Sequence, residues 1–147
     1  DEEDSHLSPQ VGLSWKMSDR MRLRARYAQG FMMPSADQLG ADYNSWGSRI
    51  VGNPALDPEK NDTREVGLDY VTPLLTGSLT WFSSDYDDKI TTIFLADGTQ
   101  SWQNMGSASI DGIEVSLNGD LGGILGWTWE LRPYFTMTLL TTYEDDE

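Results

Sequence analysis

The chain has 147 residues, the length of one domain, and no cysteine, which excludes disulfides and thiolate metal sites. Its 24 acidic against 10 basic residues give a formal charge of −14, the wrong sign for a nucleic-acid partner. No run of about 18 apolar residues that could form a membrane helix is present, although alternating strands of about 9–11 residues would escape that criterion.

Eight of the acids lie in Asp1-Glu2-Glu3-Asp4 and Glu144-Asp145-Asp146-Glu147, which read as solvated stubs and leave 16 against 10 between them. Residues 10–15 alternate, with Val11, Leu13 and Trp15 on one face and Gly12 and Ser14 on the other, the period of a strand. After a turn at 16–19, a second strand over 21–29 sets Leu23, Ala25 and Tyr27 against Arg22, Arg24 and Arg26. An arginine near the middle of a bilayer costs ~2–4 kcal/mol, so this second face needs water or carboxylates.

Residues 30–61 read as one long loop, and Tyr43, Trp46 and Arg49 within it have the chemistry of contact residues. Pro54, Pro58 and the Gly52-Asn53 turn keep its last part out of regular structure. A third strand over 63–71 has Val66, Leu68 and Tyr70 on one face and Glu65, Gly67 and Asp69 on the other. Antiparallel pairing would bring Glu65 and Asp69 near Arg22, Arg24 and Arg26 as a charge ladder.

A turn at 72–77 leads to a fourth strand over 78–90, where Phe82 sits opposite Leu79 and Trp81 and makes the alternation the least regular. Asp97-Gly98 suits a primed hairpin turn. In the fifth strand Ile113, Val115 and Leu117 oppose Gly112, Glu114, Ser116 and Asn118. After a turn at 119–126, the sixth and longest runs over 127–143, with Trp127, Trp129, Leu131, Pro133, Phe135, Met137 and Leu139 on one face. Pro133 predicts a bulge or an unpaired position there. Trp127 and Trp129 at one end and Tyr143 at the other suit the aromatic girdles of a membrane barrel.

The pattern is all-β, an antiparallel up-and-down meander of about six strands. By alternation alone it fits a segment of a transmembrane β-barrel or a soluble two-sheet sandwich that binds or adheres. Connections are short after the first, third and fifth strands and long after the second and fourth, which favours the barrel and puts the long ones outside the cell. Asp85, Asp87 and Asp88 lack the spacing of a calcium loop, and His6, the only histidine, has no metal-ligating companions. No cofactor or metal is expected. Without a cysteine, a nucleophile elbow or a phosphate-binding glycine loop, an enzyme is not expected either.

Four segments in order resemble the TonB-dependent outer-membrane receptors. They are Tyr27-Ala28-Gln29-Gly30-Phe31-Met32-Met33-Pro34-Ser35, Gly52-Asn53-Pro54-Ala55-Leu56-Asp57-Pro58-Glu59-Lys60 with its following strand, Gly77-Ser78-Leu79-Thr80-Trp81-Phe82, and Asn104-Met105-Gly106-Ser107-Ala108-Ser109-Ile110-Asp111-Gly112-Ile113-Glu114. Met32 and Met33 stand where the family usually has Arg and Ala, so no role of that arginine carries over. The resemblance implies a partial barrel domain over 1–147, an excerpt from the later part of a receptor in the outer membrane of a Gram-negative bacterium. It implies uptake of a scarce nutrient such as an iron–siderophore or cobalamin. It also implies, through segments outside this sequence, a plug domain and a periplasmic energy-coupling protein as partners, with membrane lipid around the wall.

Overall fold

Alternation at period two can sort side chains only if neighbouring strands keep register, and in a computed structural model describing residues 7–146 they do. The elements in chain order are β1 (Gln10–Lys16), β2 (Met21–Met32), α1 (Ala36–Gly40), β3 (Asp42–Ser45), β4 (Ser48–Val51), β5 (Glu59–Val71), β6 (Leu75–Asp87), β7 (Ile90–Phe94), β8 (Gln100–Asn104), β9 (Ser107–Gly119), α2 (Leu121–Leu125) and β10 (Tyr134–Asp146). The long strands form one antiparallel sheet in the order β1-β2-β5-β6-β9-β10, a meander. The short strands form a second sheet, β3-β4-β8-β7, built entirely from the two long connections.

Two rows across the large sheet define its apolar face. Trp15, Leu23, Leu68, Leu79, Val115 and Met137 stand opposite one another from β1 to β10, and Leu13, Ala25, Val66, Trp81, Ile113 and Leu139 form the next row. Two rows further along the same face the residues become Gln29, Asp62, Asp85, Ser109 and Glu144. The opposite face is polar: one row reads Ser14, Arg24, Gly67, Thr80, Glu114 and Thr138.

Among the described residues the only buried apolar side chains of the core are Ala41 and Leu56, both in the connection between β2 and β5. Among the described residues the apolar rows stay open, with Val66, Leu79, Trp81 and Leu139 all exposed, so these strands do not close into a two-sheet sandwich with an apolar core. Among the described residues no helix is long and apolar enough to cross a membrane, which says nothing of crossing by strands.

Several boundaries differ from the sequence expectation. The loop expected over 30–61 contains α1, β3 and β4, and β5 starts directly after Pro58, which cannot donate to a ladder. β6 spans Leu75–Asp87 rather than 78–90, ending at Asp88, whose φ of 58° breaks the extended run. The sixth strand begins at Tyr134, not at Trp127. Gly126, in the left-handed region at φ 70°, closes α2, and the chain then returns through hydrogen bonds from Leu121 N to Leu131 O and from Gly119 N to Pro133 O. Pro133 therefore lies just outside the strand, and the bulge is elsewhere, between Leu140 and Thr142. That extra residue shifts the parity, so Tyr143 stands opposite Ile110 on the polar face instead of completing a girdle with Leu139. Glu144 and Asp145 are strand residues paired with Ser109 and Ala108, not a loose stub. Asp1 to Asp4 and His6 lie outside the described residues.

Candidate functional site

Arg22, Arg24 and Arg26 occupy alternate positions of β2 and face Asp69, Gly67 and Glu65 across the β2–β5 ladder. The glycine in the middle decides how the charges pair. A Cβ at Gly67 would sit 2.6 Å from Arg24 Cζ, so the absence of a side chain lets the guanidinium lie flat over the strand. From there Arg24 Nε donates to Asp69 Oδ1 at 3.2 Å, and its terminal nitrogen donates to Thr80 Oγ1 on the next strand. Arg26 pairs with Glu65 at 3.5 Å. Arg22, although opposite Asp69, forms no ion pair among the described residues, because that carboxylate has turned toward Arg24.

The Arg24 and Asp69 side chains are 37% and 25% exposed, so solvent screens the pair and its stabilisation is at most about 1 kcal/mol. The stripe is better understood as a fixed charge pattern than as a source of stability. Phe82, out of step in the sequence, follows the same logic as Arg24. Its ring covers Gly112, where a Cβ would meet Phe82 Cζ at 2.6 Å.

A second assembly joins the two long connections at the other end. Ser35 caps α1 by a capping box with Gln38, and the Gly52-Asn53-Pro54 turn packs against the end of that helix. A Cβ on Gly52 would lie 2.6 Å from the backbone of Leu39, Gly40 and Ala41. Gly52 N donates to Ala41 O and Asn53 N to Gln38 O, both at 2.7 Å. The Asn53 side chain then crosses to the other connection, its Nδ2 donating to Trp102 O at 2.9 Å, while its Oδ1 accepts from Ala55 N.

Asn104 reciprocates. Its Oδ1 accepts from Asp57 N at 2.8 Å, and its Nδ2 donates to Asp57 O and Asp88 O. Glu59 accepts from Ile90 N at 2.7 Å, and Lys60 pairs with Asp88 at 2.8 Å. With the single parallel bridge between Ile50 and Gln100, these contacts make the two connections one body. The prolines fix the backbone, and the asparagines read main-chain groups on both sides.

Tyr43, Trp46 and Arg49 lie on one hairpin but not on one face. Tyr43 is opposite Ile50 and donates to Asp37 at 3.2 Å, whereas Arg49 is opposite Asn44 and pairs with Asp42 at 3.1 Å. Trp46 and Gly47, at φ 51° and 86°, form the tip, where the indole is fully exposed. The three do not converge. Nor do Asp85, Asp87 and Asp88 gather as metal ligands: Asp85 bonds Arg64 and Ser109, and Asp88 bonds Lys60. Asn53, Asn104 and Glu59 were not singled out by the sequence reading. Their only signal was membership of the Gly-Asn-Pro and Asn-x-Gly motifs, which suggested turns and not contacts across 31 to 49 residues.

At the tip of the β7–β8 hairpin, Asp97 accepts the Thr99 backbone N–H at 2.9 Å, and this bond holds its carboxyl below the ordinary value of 3.8. A depressed acid stabilises the turn above pH 3.8 and releases it as pH falls through the lowered value. Protection of the Thr99 amide, taken relative to its intrinsic exchange rate at each pH, is therefore expected to fall at acid pH in the parent. Asp97→Asn, which keeps the acceptor, should remove that pH dependence.

The family model described as TonB dependent receptor-like, beta-barrel matches residues 1–147. The chain is 30% identical over 156 residues to the probable TonB-dependent siderophore receptor PirA of Acinetobacter baumannii, covering 84% of this chain and 21% of that protein. It is 27% identical over 142 residues to the ferrienterobactin receptor of Escherichia coli K12, covering 84% of this chain and 19% of that protein. The chain thus spans about a fifth of the length of these curated relatives. Among solved structures, a mutant of the ferric enterobactin receptor of Pseudomonas aeruginosa in complex with enterobactin superposes with a TM-score of 0.71 at 24% identity, over 92% of this chain and 22% of that one. A double mutant of the Serratia marcescens hemophore receptor HasR, bound to its hemophore and heme, does so with 0.70 at 19%, over 90% and 22%. These two likenesses concern the fold.

Proposed function

The chain belongs to the TonB-dependent receptor β-barrel family, an outer-membrane transport family and not an enzyme family, and from that premise we propose that it supplies wall and outer loops to a receptor for an iron–siderophore. The observation that carries this reading is the division of one sheet into a face with a band of wholly apolar rows and a charge-patterned face, with both long connections folded together at one end. In this reading residues 1–147 form one partial barrel domain. The apolar rows meet lipid, and Arg22, Arg24, Arg26, Glu65 and Asp69 line the wet lumen, where a plug domain from elsewhere in the receptor would face them. The joined connections lie outside the cell, where Tyr43, Trp46 and Arg49 are candidates for ligand contact.

Siderophore is preferred over cobalamin because the relatives described above from Acinetobacter baumannii and Escherichia coli are a probable siderophore receptor and a ferrienterobactin receptor. Energy would arrive through a periplasmic coupling protein, as the family name implies.

The test is uptake by the intact receptor in a Gram-negative strain stripped of its own siderophore receptors, with ferric enterobactin carrying radioactive iron as the probe. Accumulation that a protonophore abolishes is the expected result. Uptake no greater than in the empty strain, for both ferric enterobactin and heme, would end the iron reading. Orientation has its own check. Trp46→Cys and Gly98→Cys are expected to react with an impermeant thiol reagent on whole cells, and Thr76→Cys is not; labelling at 76 alone would invert the wall.

A further inference from the structure

Residues 120–133, between β9 and β10, fold into a small unit with its apolar side chains on the outside. Glycines leave it no interior. A Cβ on Gly122 would sit 2.4 Å from Trp129 O, and one on Gly123 would sit 2.7 Å from Leu74 Cδ2 of the neighbouring turn. Trp127 N donates to Gly122 O at 2.8 Å, so the returning chain lies directly on α2. In consequence Leu121, Ile124, Leu125, Trp127, Trp129 and Leu131 are all 37% to 56% exposed. Trp127 and Trp129 stack on each other with ring centroids 4.3 Å apart and 18° between planes.

A turn this apolar is costly in water, and contiguous exposed apolar surface marks a place where something binds. Its neighbours say what. The Leu117–Phe135 pair ends the apolar face at this end of the sheet, and Leu75 lies next to Gly119 where the turn begins. The patch therefore continues the lipid-facing rows without a polar break. Its charges do not compete: Arg132 pairs with Asp120 at 3.6 Å and with Glu130 at 3.3 Å, leaving the unit with a net charge of −1.

We propose that residues 120–133 are an interfacial foot, resting in the boundary between headgroups and acyl chains of the bilayer at the short-turn end of the wall. Indole rings suit that boundary, where an apolar body meets a wet rim. Because the foot carries no net positive charge, apolar burial and not attraction to anionic headgroups holds it there. The inference rests on the wall crossing a bilayer, but on no particular ligand.

The experiment uses the intact receptor, freed of other cysteines, with a bimane label at Ile124→Cys or, as a second site, Leu125→Cys. Ala25→Cys on the apolar rows and Thr138→Cys on the polar face are the references. In phosphatidylcholine vesicles, acyl-brominated lipid is expected to quench 124 about as strongly as 25, and aqueous iodide to quench it far less than 138. Adding anionic lipid or salt should leave the quenching at 124 unchanged. Quenching by iodide but not by brominated lipid overturns the foot, and so does shielding from both, which would mean that protein covers it. Quenching at 25 but not at 124 overturns the foot alone; quenching at neither overturns the wall as well.

Discussion

Met137→Arg is expected to deplete the intact receptor from the outer membrane by at least tenfold, whereas Thr138→Arg, one position on, leaves it near the parent level. Met137 stands in the apolar row with Val115 and Leu79. An arginine on the lipid face near the midplane of a barrel wall costs ~2–4 kcal/mol, or roughly 30- to 700-fold in a folding equilibrium. Thr138 stands opposite Glu114 on the polar face, where a new guanidinium would meet water and a carboxylate. Heat-modifiable mobility of outer-membrane fractions measures the folded receptor directly. Equal loss from both variants, or the reverse order, would mean that the faces are assigned wrongly.

The second large effect is expected from the clamp between the outer connections. Gly52→Ala pushes a methyl group against the backbone of Leu39–Ala41, which cannot rotate away, an overpacking that typically costs about 1–3 kcal/mol. Asn53→Ala removes the bonds to Trp102 O and Ala55 N, each with a net value of about 1 kcal/mol. Either change should raise amide exchange roughly tenfold in β3, β4, β7 and β8 together, while β5 and β6 keep their protection. Asn104→Ala should do the same from the other side, since it removes the three bonds to Asp57 and Asp88. If exchange rises only in the connection that carries the substitution, the two loops are not one body.

The long strands were legible because period two is a local property: Val66-Gly67-Leu68-Asp69-Tyr70 names its faces without reference to any partner. The shorter elements were not. Asp42–Ser45 is four polar residues with no alternation, and its sheet depends on β8, reached through one bridge to Gln100. The sixth strand misled for the opposite reason. Trp127, Trp129 and Leu131 continue the parity of Phe135 and Met137, yet Gly122 and Gly126 fold that stretch back on itself.

A single extra residue at 141 was equally invisible, and it alone turns Tyr143 to the other face. In the candidate site, the shared face of Arg22, Arg24, Arg26, Glu65 and Asp69 followed from strand parity, but the partner of each did not, since register sets Arg22 and not Arg24 opposite Asp69. Thr80 could not be foreseen, because it enters only through the space that Gly67 leaves open. The clamp residues had amide side chains and proline neighbours that suggest local turns, and only the folded backbone shows that they reach between connections.

The central claim is that one sheet separates lipid from a wet lumen, and a spin-label scan along β6 of the intact receptor in a bilayer tests it most directly. Labels at 77, 79 and 81 are expected to collide with oxygen, which concentrates among acyl chains, and labels at 76, 78 and 82 with a water-soluble nickel complex. Accessibility should thus alternate with a period of two residues. A scan without alternation, or one in which both faces meet only water, would contradict the account.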